Sequence, residues 1–232
     1  MRSIIRRSHA AEYLSGIKVD DGVSWQVVMD PGKSANFLLF VRDAYNLSPV
    51  GPDVPPPLKG EIDRLDQESE DSDLVELIEA WLAWWRRFIH LEGKIQLGDR
   101  TETPQIEQDY LRAIVAAQRA EFDPPRFECL SNCLKLQEAA QSTWPSFDAW
   151  YRASYANRPV WNSSIPASVA EDVIQERKVS SARVRAGVTF LRVEGAWKYM
   201  PEPGVLLCSG GLLENDQNFA TELKKAIESQ LG

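Results

Sequence analysis

Histidine and cysteine are scarce in this chain of 232 residues, which holds two histidines and three cysteines. Two histidines are too few for a His-rich metal site, so any mixed site would have to gather ligands from distant segments. Cys129 and Cys133 lie near each other with no second pair, and Cys208 is far away, which supports neither a disulfide framework nor a zinc ribbon. We therefore expect no metal, no cofactor, and a reducing compartment such as the cytoplasm.

Long apolar runs are also missing. The longest stretches, such as residues 35–41, fall far short of the roughly 20 residues needed to cross a bilayer, so no membrane span is predicted. The opening segment 1–11 is basic and holds no acidic residue. It weakly resembles an organelle transit peptide, but a short surface helix or a frayed start is the simpler interpretation.

No catalytic motif is recognisable. Gly32, Lys33 and Ser34 follow a strand pattern, as in a phosphate-binding loop, but Val27 stands where that loop needs its earlier glycine. Pro31 also removes a backbone donor, so we interpret the segment as a hairpin turn. Because nucleophile and metal motifs are lacking as well, no catalytic residue is predicted.

The N-terminal part is predicted to form β-strands followed by a loop. Apolar and polar residues alternate over 23–29, which predicts a strand with one buried face. The continuously apolar segment 36–42 is interpreted as the second strand of an N-terminal β-hairpin. Five prolines between Ser48 and Lys59 then indicate an extended linker or loop.

The middle of the chain is predicted to be helical. The strongest pattern covers 71–91, where an apolar stripe containing Trp81 and Trp85 recurs at helical spacing and Gly93 provides a stop. Further helices are predicted over 104–122, 127–140 and 146–156 and after Pro166, where Ser168 and Glu171 fit a capping box.

The C-terminal part is again predicted to form β-strands. Short β-prone runs at 184–193, 197–200 and 205–208 are separated by turn residues, which predicts an antiparallel meander. A final amphipathic helix follows over 215–231. The fold class is therefore α+β, a single domain over 1–232 with a proline-rich and acidic loop at about 48–72, and the strands of both termini are expected to share one sheet.

Negative charge is concentrated in one segment. Between Asp53 and Glu79 there are ten acidic and two basic residues, a net charge of −8 that equals the net charge of the whole chain. Such an asymmetry favours a basic partner. The simpler alternative is that these carboxylates solubilise a loop and favour the positive end of the following helix. The predicted partner-binding residues are Asp63, Asp66, Glu68, Glu70, Asp71, Asp73 and Glu76.

Two other segments can each be interpreted either as a binding site or as part of the packed structure. Cys208, Ser209, Gly210 and Gly211 follow a strand and precede a helix, and glycines at such a place can expose N–H groups to an anion, although a buried cysteine before a turn explains them equally. Aromatic residues between Trp144 and Trp161 are numerous enough for a stacking surface, but Phe147, Trp150 and Tyr151 have the spacing of a helix face in a core.

The leading hypothesis is a non-enzymatic cytoplasmic protein that binds a basic macromolecule through its acidic segment, as an inhibitor or immunity-type protein would. The alternative is a small-molecule enzyme or ligand-binding protein with a pocket near Cys208–Gly211, and a structural or homo-oligomeric role comes third. A basic cluster between Arg177 and Lys198 is a possible contact for the acidic segment. Nucleic-acid binding is opposed by the net charge of −8.

Overall fold

A computed structural model describes residues 2–7, 12–18, 23–65, 71–98, 112–113, 116–156, 162, 164–179 and 183–231. The fold is α+β, as predicted. The chain divides into two compact units, one formed by Met1–Gly32 with Pro159–Gly232 and the other by Lys33–Arg158. The expectation of one domain stays a prediction. Within the described residues, no helix is both long enough and apolar enough to cross a membrane.

The first unit is built on a six-stranded mixed sheet in the order β1-β2-β3-β4-β6-β5. Its strands are β1 (Arg2–Arg7), β2 (Glu12–Lys18), β3 (Val23–Asp30), β4 (Arg183–Leu191), β5 (Lys198–Tyr199) and β6 (Val205–Ser209). β3 confirms the strand predicted from alternation and forms an antiparallel hairpin with β2. The parallel pairing of β3 with β4 joins the N- and C-terminal strands in one sheet, which was also expected.

The predicted antiparallel meander is correct only for β5 and β6. β4 pairs with β6 in parallel, with Val188 opposite Leu206. Between them the chain passes through β5, which lies on the far side of β6 at the edge of the sheet. Strands joined by short connections are usually antiparallel neighbours. Here β5 lies between β4 and β6 in the chain, and this allows β4 and β6 to pair in parallel.

Three helices complete the first unit: α4 (Ile165–Glu176), α5 (Gly210–Leu213) and α6 (Asp216–Leu231). The last confirms the predicted final helix, and its apolar stripe, including Phe219, Leu223 and Ile227, is buried in the core with Trp25 and Val188. The capping box at Ser168 is wrong. Ser168 lies inside α4, where its hydroxyl donates to Ile165 O, and Ser164 is the residue that precedes the helix.

The second unit contains α1 (Lys33–Ala44), α2 (Asp71–Leu97) and α3 (Leu134–Ala156), with a 3₁₀ turn at Glu128–Leu130. The second hairpin strand predicted over 36–42 is wrong, because these residues belong to α1. Phe37, Leu39 and Val41 are buried together with Leu38 and Phe40. A helix buried on every side loses the polar face that would reveal its period, so a short apolar run cannot be assigned from the sequence.

Two further helix boundaries differ from the predictions. α2 continues through Gly93, which is buried, and ends at Leu97 before the left-handed Gly98. The helices predicted over 127–140 and 146–156 are one helix, α3, which begins at Leu134 instead of residue 127 and passes through Pro145. Packing of Ala140 and Phe147 on both sides holds α3 together despite a cost of about 3 kcal/mol for an interior proline. Of the helix predicted over 104–122, residues 112–113 and 116–121 are helical, Phe122 is described but lies beyond the helix, and the rest lies outside the described residues.

Phe37 of α1 is the centre of the aromatic core of the second unit. Its ring stacks on Phe127 at 5.0 Å and meets Trp144 and Phe147 edge-on at the same centroid distance. Trp84, which the predicted stripe of α2 did not include, also contacts Phe37 and is fully buried. Edge-to-face and offset contacts of this kind fix ring orientations as well as excluding water.

Candidate functional site

Four described carboxylates of the acidic segment are exposed. Asp63 lies in the extended chain before α2, and Glu76 lies in the second turn of that helix; both are exposed, as are Glu61 and Glu79. Asp66, Glu68 and Glu70 lie outside the described residues. The backbone of Asp71 starts α2, but its side chain is not among the described ones. The structure thus places exposed negative charge on both sides of residues 66–70.

Two carboxylates of the segment are neutralised within the protein. Asp53 is buried and accepts hydrogen bonds from Arg86 Nε at 2.8 Å and Nη2 at 3.2 Å. These bonds lower the pKa of Asp53 below its usual value. Asp73 binds Lys135 Nζ at 2.6 Å. Both residues therefore have structural roles, and Asp73 is less available to a partner than the sequence suggested.

Arg42 of α1 fixes the proline-rich segment that leads into the acidic residues. Its guanidinium donates to Pro55 O at 2.6 Å and to Pro56 O at 2.9 Å, and its Nε donates to Asp43 at 2.6 Å. The second oxygen of Asp43 accepts the N–H of Leu58 at 2.7 Å. Carbonyl groups in a loop have no neighbouring strand to donate hydrogen bonds to them. The buried arginine supplies these donors and so fixes the chain.

Two tryptophans of α2 also help to hold the proline-rich segment in place. Trp85 Nε1 donates to Asp53 O at 2.9 Å, and Trp81 Nε1 donates to Leu38 O at 2.8 Å. The two indoles stack at 5.8 Å, and the guanidinium of Arg42 lies 5.8 Å from the Trp81 ring. The loop at 53–58 is thus held against α1 and α2. The chain that leads into the acidic residues therefore has a fixed position.

The second candidate, the turn at Cys208–Gly211, is occupied by internal contacts. Ser209 is fully buried; its hydroxyl donates to Gly195 O and accepts the N–H of Trp197, both at 2.8 Å. The Cys208 thiol is buried without exposure, and burial raises its pKa far above the usual value, which suppresses the thiolate. Gly210 and Gly211 begin α5, which has only four residues. These contacts give the four residues a packing role.

Gly211 leaves no space for a side chain. A Cβ at this position would lie well inside van der Waals contact with the backbone oxygen of Gly195. We expect Gly211→Ala to lower the free energy of unfolding by about 1 to 3 kcal/mol, because a backbone atom cannot rotate away. Urea denaturation measures this change, with Ala196→Ser in the exposed neighbouring loop as the control. An unchanged midpoint for Gly211→Ala would show that the loop at 194–196 does not press on α5.

The basic cluster between Arg177 and Lys198 is paired within its own unit. Arg177 binds Glu228 at 3.2 Å, and Lys198 binds Glu222 at 2.5 Å, both on α6. Arg185 donates its backbone N–H to Gln230. Partners on α6 therefore account for the cations at both ends of the cluster.

Two of the aromatic residues after Trp144 belong to the core and not to an open stacking surface. Phe147 and Tyr151 are buried, and Phe147 contacts Phe37 and Phe40 of α1. Trp150 lies 5.5 Å from Phe40. The core interpretation is confirmed for Phe147 and Tyr151, whereas Trp150 is half-buried; Phe147 and Trp150 contact rings of α1. Trp161 and the side chain of Tyr155 lie outside the described residues.

Comparisons with protein-family models, with curated protein sequences and with solved structures each found no match to this chain. Among the described residues, no three histidines, cysteines or acidic residues converge as metal ligands would.

Proposed function

We propose that this protein is a non-enzymatic cytoplasmic protein that binds a basic protein partner through the acidic docking surface, defined as Glu61, Asp63, Glu76 and Glu79 together with the acidic residues of the sequence between them. An inhibitor or immunity-type role fits such a surface. The observation that carries the proposal is the exposure of these four carboxylates within a segment whose net charge equals that of the whole chain. Concentrated surface charge of one sign accelerates encounter with a partner of the opposite sign.

The cytoplasmic location is supported by the cysteines. Cys129, Cys133 and Cys208 are all free thiols. Burial, with the charges of Asp123 and Glu121, raises the pKa of Cys129 to about 12, so this half-buried thiol is a poor nucleophile. Free thiols suit a reducing compartment.

The anchored loop supports a preorganised surface. Arg42, Trp81 and Trp85 hold residues 53–58, and the N–H of Leu65 donates to Ala44 O at 2.9 Å. The chain is therefore fixed on both sides of Glu61 and Asp63. A partner that binds these carboxylates loses less ordering entropy than it would with a free loop.

The test compares three full-length proteins as capture baits in lysate of the source organism. The docking variant carries Asp63→Asn, Glu76→Gln and Glu79→Gln, and the matched control carries Asp172→Asn, Glu194→Gln and Glu214→Gln at exposed positions of the other unit. We expect mass spectrometry to find a basic protein that the wild type and the control enrich equally. The docking variant should enrich this protein about tenfold less, as three exposed ion pairs of roughly 0.5 kcal/mol each would give.

Thermal unfolding of all three baits provides the folding control, and exposed substitutions should leave it nearly unchanged. Equal recovery of every basic protein by the three baits would overturn the proposal. The purified captured protein must then bind in a direct titration, since a lysate result alone does not establish contact.

A further inference from the structure

The proline-rich segment packs against the second unit with only part of its surface. The carbonyl groups of Pro55 and Pro56 accept hydrogen bonds from Arg42. Pro57 and Lys59, by contrast, are exposed. The acidic docking surface uses neither of these two side chains, so the outer part of the segment has no role in the proposed function.

The backbone of residues 54–57 is restricted to one conformation. The rings of Pro55, Pro56 and Pro57 hold φ at about −65°. Val54, Pro55 and Pro56 each precede a proline, which disfavours helical ψ values. A polyproline II helix satisfies both restrictions, and it has three residues per turn. Residues three apart therefore lie on the same edge of the segment.

Burial along the segment follows this threefold period. The inward edge consists of Pro55 and Leu58, which are both buried. Each of the other two edges combines a half-buried residue with an exposed one, and the pairs are Val54 with Pro57 and Pro56 with Lys59. Two of the three edges are therefore accessible to a partner.

Hydrogen bonds at both ends hold the segment in this conformation. Before it, Trp85 Nε1 donates to Asp53 O at 2.9 Å. At its other end, the N–H of Leu58 donates to Asp43 Oδ2 at 2.7 Å. A polyproline II ligand that is already fixed loses little conformational entropy on binding, and this is the property that proline-binding domains exploit.

We propose that the two outer edges of residues 54–59 form a polyproline II ligand, which a second protein binds in a groove lined by aromatic side chains. The apolar surface of Val54, Pro56 and Pro57 packs between the rings of the groove. Lys59 lies beside a carboxylate at the end of the groove. This surface contains no residue of the acidic docking surface, so it serves a different partner.

The chemistry of the segment favours this occupant over others. A partner strand would need backbone donors, and the three consecutive prolines have no N–H group. A second copy of this chain would need an open aromatic groove. Phe37 and Trp81, at the centres of the described aromatic clusters, are fully buried within their own chain. An aromatic groove in a different protein is the occupant that matches the two outer edges.

The experiment uses a panel of purified SH3 and WW domains as probes, because both classes bind proline-rich segments in aromatic grooves. Each domain is labelled with ¹⁵N and titrated with the unlabelled full-length protein. Heteronuclear NMR follows the indole N–H signal of the tryptophan in the groove of the domain. We expect a saturable shift of this signal for at least one domain of the panel.

Variants identify the side chains that make the contact. Pro57→Ala should weaken binding at least about fivefold, the usual effect of truncating a central contact residue. Val54→Thr should weaken binding about threefold, because it adds a hydroxyl group that loses water in the groove. It retains every proline, so this loss does not come from a released loop.

Pro52→Ala is the matched control. Pro52 is an exposed proline of the same loop, but it lies in the preceding turn, which the N–H of Val54 closes by donating to Gly51 O. Its substitution should leave the affinity for the domains unchanged. Thermal unfolding of all variants checks that they are folded, since exposed substitutions have small effects on stability.

The outcomes separate this inference from the proposed function. The variant with Asp63→Asn, Glu76→Gln and Glu79→Gln should bind the domains as the wild type does. No shift for any domain, or equal losses of affinity for Pro57→Ala and Pro52→Ala, would overturn the inference and leave the acidic docking surface untouched. Self-association that sedimentation detects and Pro57→Ala abolishes would show that a second copy is the occupant.

Discussion

Trp81→Ala is expected to lower the free energy of unfolding by about 3 to 5 kcal/mol. The Trp81 indole is fully buried, stacks on Trp85 at 5.8 Å and donates to Leu38 O at 2.8 Å. Its removal leaves a large cavity and takes one hydrogen bond from the Leu38 carbonyl, so both the lost apolar burial and the lost hydrogen bond contribute. Chemical denaturation monitored by circular dichroism measures the change.

Val75→Ala is the matched control, because Val75 lies on the same helix and is exposed. Its effect should stay within about 0.5 kcal/mol, as for most surface substitutions. If Trp81→Ala shifted the midpoint no more than Val75→Ala, the tryptophan stripe of α2 would not be part of the core.

Arg42→Met should cost about 3 to 5 kcal/mol, the usual result of removing one partner from a buried ion pair. The methionine keeps most of the apolar stem but leaves Asp43 without its counter-charge and the carbonyls of Pro55 and Pro56 without donors. The loop at 53–58 should also be released. Limited proteolysis is therefore expected to cut this segment in Arg42→Met and to spare it in the wild type under the same conditions.

Arg152→Met controls for the loss of a surface cation, because the Arg152 side chain is 79% exposed and binds Asp148 at 2.6 Å. An exposed pair of this kind contributes about 0 to 1 kcal/mol. Equal stability losses in the two variants, with the loop resistant to protease in both, would show that Arg42 does not anchor the proline-rich segment.

Elements with one apolar face were predicted correctly, and elements buried on all sides were not. The stripe of α2 around Trp81 and that of α6 around Leu223 have the helical period because each helix keeps a polar face. α1 lacks such a face, and its period was therefore hidden. α3 was predicted as two separate helices, and it continues through Pro145. The local cost of an interior proline is known from the sequence, whereas the packing that outweighs it is not.

Strand pairing depended on contacts that lie far apart in the chain. The strands β4 and β6 were recognised, but their parallel pairing depends on the edge position of β5. No local residue pattern reports which strand occupies an edge. The shared sheet of β3 and β4 was expected because both termini carried strands that needed a partner.

The acidic segment could be located from the sequence. Which of its carboxylates are neutralised by internal ion pairs could not be predicted. Counting charge was enough to find the run from Asp53 to Glu79. The neutralisation of Asp53 by Arg86 and of Asp73 by Lys135 depends on partners from distant turns, so it was invisible. Arg42 was missed because charged residues are expected at the surface, and its only signal is its place in an apolar run.

The most direct test of the acidic docking surface is the salt dependence of the affinity for the captured basic partner, measured by calorimetry with the wild type and with the Asp63→Asn, Glu76→Gln and Glu79→Gln variant. The account predicts that wild-type affinity falls about tenfold or more from low to physiological ionic strength. The variant should bind more weakly at low salt and lose less affinity as salt is added. An affinity that is independent of salt and equal in the two proteins would contradict the account.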